Sequence, residues 1–473
     1  MRVPSVFGAT GRPRFATLLA STAVGVYLLV VLGATAAISD AASACPSWPV
    51  CAQTPTLATP ALAVAWTHRA VAALVFVLLF VAALASLRRD DISTRVRVAL
   101  GVALVLYPVQ VVVGAFVAVE TGAAPFPLAH LVAGMGIFAA LTLALAWHLE
   151  PAETDEPEES PTLEPPSAEA ADEPLDQPPL PDSALGRAKA VGMAYFRLTK
   201  PRLMWLLCLV AAAGMALAAG PSLTVRTVVL TLGGGVLAIG ASGTFNHVFE
   251  RDRDKQMDRT SDRPIATHQV PVRNAMAFGL ALAAASLAVF LQLNPLAAVL
   301  GLVAILFYSI VYTLVLKPNT VQNTVIGGAA GALPALIGWA AVTGSIGIPG
   351  VVLAGVIFVW TPAHFYNLAL AYKDDYERGG FPMMPVVRGE ATTRKHILLW
   401  LGATLLAATV LAAVTELGWV YAATTTALGT VFLWAVVRLH REQTEGAAFR
   451  AFHASNAYLG ALLLAVVVDA LAL

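Results

Sequence analysis

Apolar runs of about twenty residues, broken by short polar segments, recur from one end of this chain to the other. A run of that length crosses the roughly 30 Å hydrocarbon core of a bilayer as a helix. Thirteen such runs are read, at residues 15–38, 63–87, 97–119, 128–149, 202–219, 226–249, 274–293, 296–316, 324–343, 349–372, 397–415, 417–438 and 453–472. They predict an all-α polytopic membrane protein, with a four-helix transmembrane bundle followed by a nine-helix one. Between the two, residues 150–182 hold twelve acidic residues, nine prolines and no Lys or Arg. Such a stretch cannot bury a core and is expected to be a disordered tether. The expected organisation is a membrane domain over 1–149, a linker over 150–189 and a second membrane domain over 190–473.

Of 473 residues, 58% are hydrophobic and 12% charged, about half the charge of a soluble domain. Formal net charge is zero, so nothing points to nucleic acid as a partner. The first run is longer than a signal-peptide core and reads as a retained helix. Basic residues fall in alternate loops: Arg2, Arg12 and Arg14, then Arg88 to Arg97, then Arg187 to Arg202, and so on to Arg450. By the positive-inside rule the N-terminus, the linker and the charged loop after residue 245 are cytoplasmic and the C-terminus is outside, in a cell membrane.

That loop, NHVFERDRDKQMDRTSDRP from Asn246 to Pro264, carries the chemistry. On a helix Asn246, Glu250 and Asp254 share one face, with Asp258 continuing the stripe. Cations are interleaved, among them Arg259 and Arg263. Carboxylates at a helix end suit Mg²⁺ carrying a phosphorylated ligand, with Arg and Lys on the remaining oxygens. The plain alternative is a solvated charged loop. A second cluster, Asp374 and Asp375 between Lys373 and Arg378, lies at the same membrane depth. Two such loops can each hold a metal against one diphosphate over an apolar interior that takes a hydrocarbon tail, which describes prenyl-diphosphate chemistry.

The string N-x3-[DE]-R-D-x-D-x2-M-x-R-T-x2-R-P, the LTKPR segment at 198–202, QNTVIGGAAGALPALIGWAA at 322–341 and the TPAHF…KDDY…PMMPVVRG loop resemble the heme O synthase (protoheme IX farnesyltransferase) family of UbiA-type intramembrane prenyltransferases. The resemblance covers about residues 190–473, and the nine runs counted there equal that family's number. Glu250 stands where the family usually has Asp, keeping the charge on a longer arm. The resemblance implies farnesyl transfer from farnesyl diphosphate to heme B, with addition of water. It implies Mg²⁺ on Asn246, Glu250, Asp252, Asp254, Asp374 and Asp375, and diphosphate oxygens on Lys200, Arg202, Arg259, Arg263, Lys317, Lys373 and Arg378. Tyr308, Tyr312, Trp360 and Tyr366 are candidates to face an allylic cation, and His364 to meet the heme. Open alternatives are a quinone, chlorophyll or lipid acceptor, and a heme-binding assembly factor without catalysis.

In the first domain His68 and His130 fall near the outer ends of the second and fourth runs, at one depth, an arrangement that suits two axial ligands of a heme. Cys45 and Cys51 flank SWPV in the first outer loop, a spacing able to close a small disulfide ring. Lone Cys208, His148 and Glu120 read as packing or interfacial residues. CPSWPVC, the THR histidine, YPVQVVVGAFV and the HL histidine resemble one half of heme A synthase over about residues 15–149. Ala65 stands where that family has a glutamate. The half-size domain is therefore expected to bind heme for electron transfer, delivery or handover, with heme A synthase or oxidase assembly proteins as partners, rather than to oxidise it.

Overall fold

Backbone N–H and C=O groups inside a bilayer have no water to bond, so each apolar run must satisfy its own. The runs do so as helices. The computed structural model describes residues 12–38, 41–54, 56, 59–119, 126–150 and 181–472; Arg2, Glu120 and residues 151–180 of the expected tether lie outside them. Among the described residues thirteen helices are long and apolar enough to span a membrane, and no strand is present. They are α1 Arg12–Ile38, α2 Pro60–Leu87, α3 Thr94–Val119, α4 Phe126–Leu149, α5 Pro201–Ala219, α6 Val225–Phe249, α7 Val272–Leu291, α8 Pro295–Leu306, α9 Asn323–Thr343, α10 Ile348–Ala371, α11 Met384–Ala413, α12 Trp419–Glu442 and α13 Glu445–Ala472. Beyond Leu306, α8 runs on through a π-helical stretch, Phe307–Leu316, to Asn319. Local chemistry sets the starts. Thr224 and Asn294 accept from the backbone N–H groups of Thr227 and Ala297, and prolines open α2, α5 and α8, where a missing N–H costs nothing.

By packing, the chain divides into two units. One comprises residues 1–155 and 394–458, the other 156–393 and 459–473. The sequence expectation kept all nine later helices together, whereas the structure groups 394–458 with the first four. The reasons are specific side chains. Arg394 Nε donates to the Glu150 carboxylate at 2.6 Å, both buried, and a buried charge persists only with such a partner. Buried Tyr27 of α1 lines a cavity with Tyr421 and Thr425 of α12. Gly402 of α11 leaves space for the Thr142 methyl. Within the same unit α3 packs along α4, and α1 along α2 and α4.

In the second unit α6 packs on α7, and α9 lies between α5 and α10. Gly214 and Gly338 bring the α5 and α9 backbones so close that a Cβ on either would strike the facing carbonyl of Ala335 or Ala211, the small-residue packing typical of membrane helices. Two apolar clusters sit at the end where the charged loops emerge. Leu198, Val248, Ile265 and Val270 form one. Met257, Tyr376, Phe381 and Met383 form the other, which plugs both loops from beneath.

Candidate active site

α6 ends at Glu250, and a short helix, Arg251–Asp254, follows at once. The hydrogen bonds from Glu250 N to Asn246 O (3.0 Å) and from Asp254 N to Glu250 O (2.8 Å) keep the four-residue rhythm across this junction. Asn246, Glu250 and Asp254 therefore do share a face, and all three are buried. Each meets a cation. Lys200 Nζ donates to Asn246 Oδ1, Lys317 Nζ to Glu250 at 2.6 Å, and Arg263 Nη1 to both Asp254 oxygens at 2.8 and 2.7 Å. Arg263 also stands 3.7 Å from Glu250.

Asp258 leaves the stripe. After Asp254 the chain turns, Met257 drives into the apolar plug, and exposed Asp258 pairs with Arg378 at 2.6 Å. The second loop meets the first through Asp375. Its buried carboxylate accepts the backbone N–H groups of Asp258 and Arg259, each at 3.1 Å, and an Arg378 N–H. The two acidic loops are thus joined at one site. Asp375 was expected as a metal ligand; here its oxygens are engaged by the partner loop. Asp374 is exposed, and Asp252 is half-buried beside Arg251 at 3.2 Å.

The remaining expected cations divide. Arg259 lies over the rings of Tyr372 and Tyr376 (5.1 and 5.4 Å) and donates to Tyr376 Oη at 3.1 Å. Lys317 and Arg253 lie over Phe381, at 4.3 and 4.8 Å, contacts that hold a cation without neutralising it. Lys373 reaches Glu390 at 3.4 Å, away from the cluster, and Arg202 is exposed on the first turn of α5.

Lys200 has a left-handed backbone (φ 54°) before Pro201, and Gly243 of α6 gives it room, since a Cβ there would lie 2.9 Å from Leu198 O. Burial, with Arg263 near by, lowers the Lys200 ammonium to about 7 despite Glu250 and Asp254. Burial favours a protonated Glu250, but Lys317, Lys200 and Arg263 outweigh it and hold the group below its ordinary value. Asp254 moves the opposite way, raised by burial and by Glu250 against Arg263.

Three features escaped the sequence reading. Asn246 Nδ2 donates to Thr313 Oγ1 at 3.0 Å, and Lys200 Nζ to Tyr308 Oη at 3.2 Å. Both partners lie on the π-helical stretch, where Thr313 Oγ1 reaches back to Tyr308 O. In an α-helix residues five apart diverge by about 140°; the wider π turn, often found at functional sites, lets both reach the bonded pair Lys200 and Asn246. The third is His247, buried beside Asn246 with Nδ1 unpartnered. Beneath Lys200 and Tyr308 opens a cavity of about 80 Å³ among α5, α6, α8 and α9, lined almost wholly by apolar groups. Of the aromatic candidates, Tyr308 lines it; Tyr312 packs against Gly327, Tyr366 is buried in α10, and Trp360 stacks on His364 with ring centroids 4.2 Å apart.

In the other unit the His68 and His130 rings face each other with centroids 6.2 Å apart. His130 Nδ1 lies 3.1 Å from Gln110 O. His68 Nδ1 and Gln110 Oε1 are buried and unpartnered. Cys45 and Cys51 form a disulfide, and Arg69 pins its loop by donating to Cys45 O at 3.2 Å and Ser47 O at 2.9 Å.

Residues 206–460 match the model of the UbiA prenyltransferase family. The chain belongs to the UbiA prenyltransferase family. Among relatives of this UbiA member, "Protoheme IX farnesyltransferase" of Haloarcula marismortui is 66% identical over 97% of this chain and 99% of its own. "Protoheme IX farnesyltransferase 1" of Natronomonas pharaonis is 66% identical with the same coverage. A shorter one from Saccharopolyspora erythraea is 45% identical over 59% of this chain and 91% of its own. A solved structure described as digeranylgeranylglyceryl phosphate synthase shares the UbiA fold, at 16% identity and TM-score 0.51, over 60% of this chain and 99% of that one.

Proposed function

We propose that this chain transfers a farnesyl group from farnesyl diphosphate to heme B and adds water, producing heme O and diphosphate. The observation that carries the chemistry is the joining of two acidic loops by Asp375, around Asn246, Glu250 and Asp254 and above one apolar cavity. The relatives named for this reaction carry the choice of acceptor.

The donor set suits Mg²⁺. It is oxygen-only, one amide and two carboxylates, and among the described residues no group of three His, Cys, Asp or Glu forms a complete cage. Mg²⁺ typically takes one or two carboxylates and leaves its other positions to substrate phosphates. Asn246, Glu250 and Asp254 would hold it, with Asp374 and Asp252 at the rim and Asp375 clamping the loops. When bound, it supplies positive charge to the departing diphosphate. Lys200, Arg263 and Lys317 already converge there and bind the same oxygens, while Arg259 and Arg378 border the mouth. As the bond from farnesyl C1 to the diphosphate oxygen breaks, the Tyr308 face lies beside the cationic carbon. C1 bonds to a heme vinyl carbon, water takes up the resulting carbocation, and a proton leaves to solvent. His364 stacked on Trp360 is assigned to the heme side.

A second reading concerns His68 and His130. His68 and His130 would hold a heme, whose iron would supply electron transfer. The pair's ring centroids stand 6.2 Å apart, and a Nδ1–H to Gln110 O leaves His130 Nε2 free to ligate. We therefore assign a bis-histidine heme to the first four helices, for delivery or electron transfer. Basic-residue placement supports a cytoplasmic N-terminus and cytoplasmic acidic loops.

The test is the full chain in lipid nanodiscs with heme B, farnesyl diphosphate and Mg²⁺, read by mass spectrometry. Heme gaining a farnesyl group and water supports the proposal. Bound heme with no new mass, or prenylation of a supplied quinone instead, overturns it.

A further inference from the structure

We infer that Gly235 gauges prenyl-chain length by leaving open the space that the third isoprene unit fills, an inference that rests on the prenyl-transfer reading. Residues Thr231, Gly235, Ala238 and Ser242 recur along α6 at helical spacing and line the cavity beneath Lys200. Of its neighbours on α6, Gly234 and Gly240 have packing reasons, since a Cβ would meet Phe290 at 2.8 Å or Leu282 at 3.2 Å, while Gly233, also with nothing within 4 Å, is exposed and does not line the cavity. Gly235 has none, because a Cβ there would meet nothing within 4 Å. A glycine that costs a helix stability without relieving a contact is explained if a ligand needs the room. At the far end Thr231, 1% exposed, lines the cavity with its hydroxyl unpartnered.

Depth along α6 makes the assignment quantitative. Eleven residues separate Asn246 from Gly235, a rise of roughly 16 Å. The main-chain bonds of an extended farnesyl group, each about 1.5 Å long, advance roughly 14 Å in total. With C1 at the Asn246 level, the last isoprene unit comes to lie against Gly235, whereas a geranyl chain stops about 7 Å short of it.

The experiment compares farnesyl and geranyl diphosphate as donors to heme B, with wild type, Gly235→Phe and the milder Gly235→Ala. Gly235→Phe should lower kcat/KM for farnesyl diphosphate at least tenfold, leave geranyl diphosphate within about twofold and leave the heme KM unchanged; Gly235→Ala should shift the ratio the same way by a smaller factor. Equal loss with both donors and a raised heme KM would overturn the inference, because the cavity would then hold the acceptor. An unchanged donor ratio in both variants would overturn it as well. Thermal stabilisation by the non-hydrolysable thiolo-diphosphates of both lengths reads the preference without turnover. A wild type that makes no prenylated heme, yet is stabilised by the farnesyl analogue in a Gly235-dependent way, would sink the heme reading and leave the gauge standing.

Discussion

Asp375 offers the sharpest test, because the structure gives it a different task from the one its acidity suggests. Its carboxylate bonds the Asp258 and Arg259 N–H groups of the opposite loop at 3.1 Å each, and Arg378 besides. Hydrogen bonds to a charged partner contribute about 1.5–3 kcal/mol apiece. The side chains of Asp258 and Arg259 are exposed, so water would re-bond part of what Asp375→Ala releases, leaving a cost of about 2–3 kcal/mol. At 1.4 kcal/mol per tenfold, kcat/KM for farnesyl diphosphate should fall about 30- to 100-fold. Asp375→Asn keeps one acceptor oxygen and should lose about tenfold. The assay is farnesyl transfer titrated with Mg²⁺, beside amide exchange across residues 255–263. A clamp leaves the Mg²⁺ midpoint within about twofold and speeds exchange at Asp258 and Arg259. Recovery of activity on raising Mg²⁺, with exchange unchanged, would make Asp375 a metal ligand and refute the argument.

Two further predictions read the cations and the histidine pair. Lys200, lowered to about 7 by burial and Arg263, should take up a proton when a diphosphate binds above that pH. The donor KM then rises with alkalinity, calorimetry in buffers of different ionisation enthalpy detects the uptake, and Lys200→Gln abolishes it. The same depressed value makes the ligand-free protein less stable as pH falls from the ordinary lysine range toward 7 and level below it, because the unfolded chain binds the proton first; a flat melting profile would contradict this. In the other unit, a Cβ on Gly114 would lie 2.8 Å from His130 Cε1. Gly114→Ala should therefore displace that ring and weaken the bis-histidine heme spectrum about tenfold in affinity, whereas Gly101→Ala, with nothing within 4 Å, should leave it intact.

The helices were legible because a bilayer permits few alternatives, and thirteen apolar runs became thirteen helices, most within a few residues of their expected ends, though α11 and α13 begin 13 and 8 residues earlier than the runs, at Met384 and Glu445. Asn246, Glu250 and Asp254 were legible for a related reason: an i, i+4 stripe holds wherever the helical rhythm continues, and it continues across Glu250. Asp258 shows the limit. The stripe stops where Met257, an apolar side chain among charges, is pulled into the plug with Tyr376 and Phe381. The π-helical turn was invisible, because Phe307–Leu316 reads as ordinary apolar helix and only the widened turn brings Tyr308 to Lys200 and Thr313 to Asn246. The grouping of 394–458 with the first four helices was equally hidden. Membrane helices are apolar on every side, so no stripe on α12 names its neighbour, and Glu150–Arg394 joins residues 244 apart in sequence.

What separates the legible carboxylates from Asp375 is the kind of donor each meets. Glu250 and Asp254 meet Lys317 and Arg263, side chains that a charge pattern reveals and that can swing from a carboxylate to an incoming phosphate. Asp375 meets, beside Arg378, two main-chain N–H groups, which every residue carries and no pattern marks, and which cannot leave without unfolding the turn. Side-chain partners thus mark the part of the site built to exchange ligands, and backbone partners the part built to stay. On the proposed reading, the mobile positive charge of Lys200, Lys317 and Arg263 goes to the diphosphate, and the fixed charge of Asp375 stays with the protein.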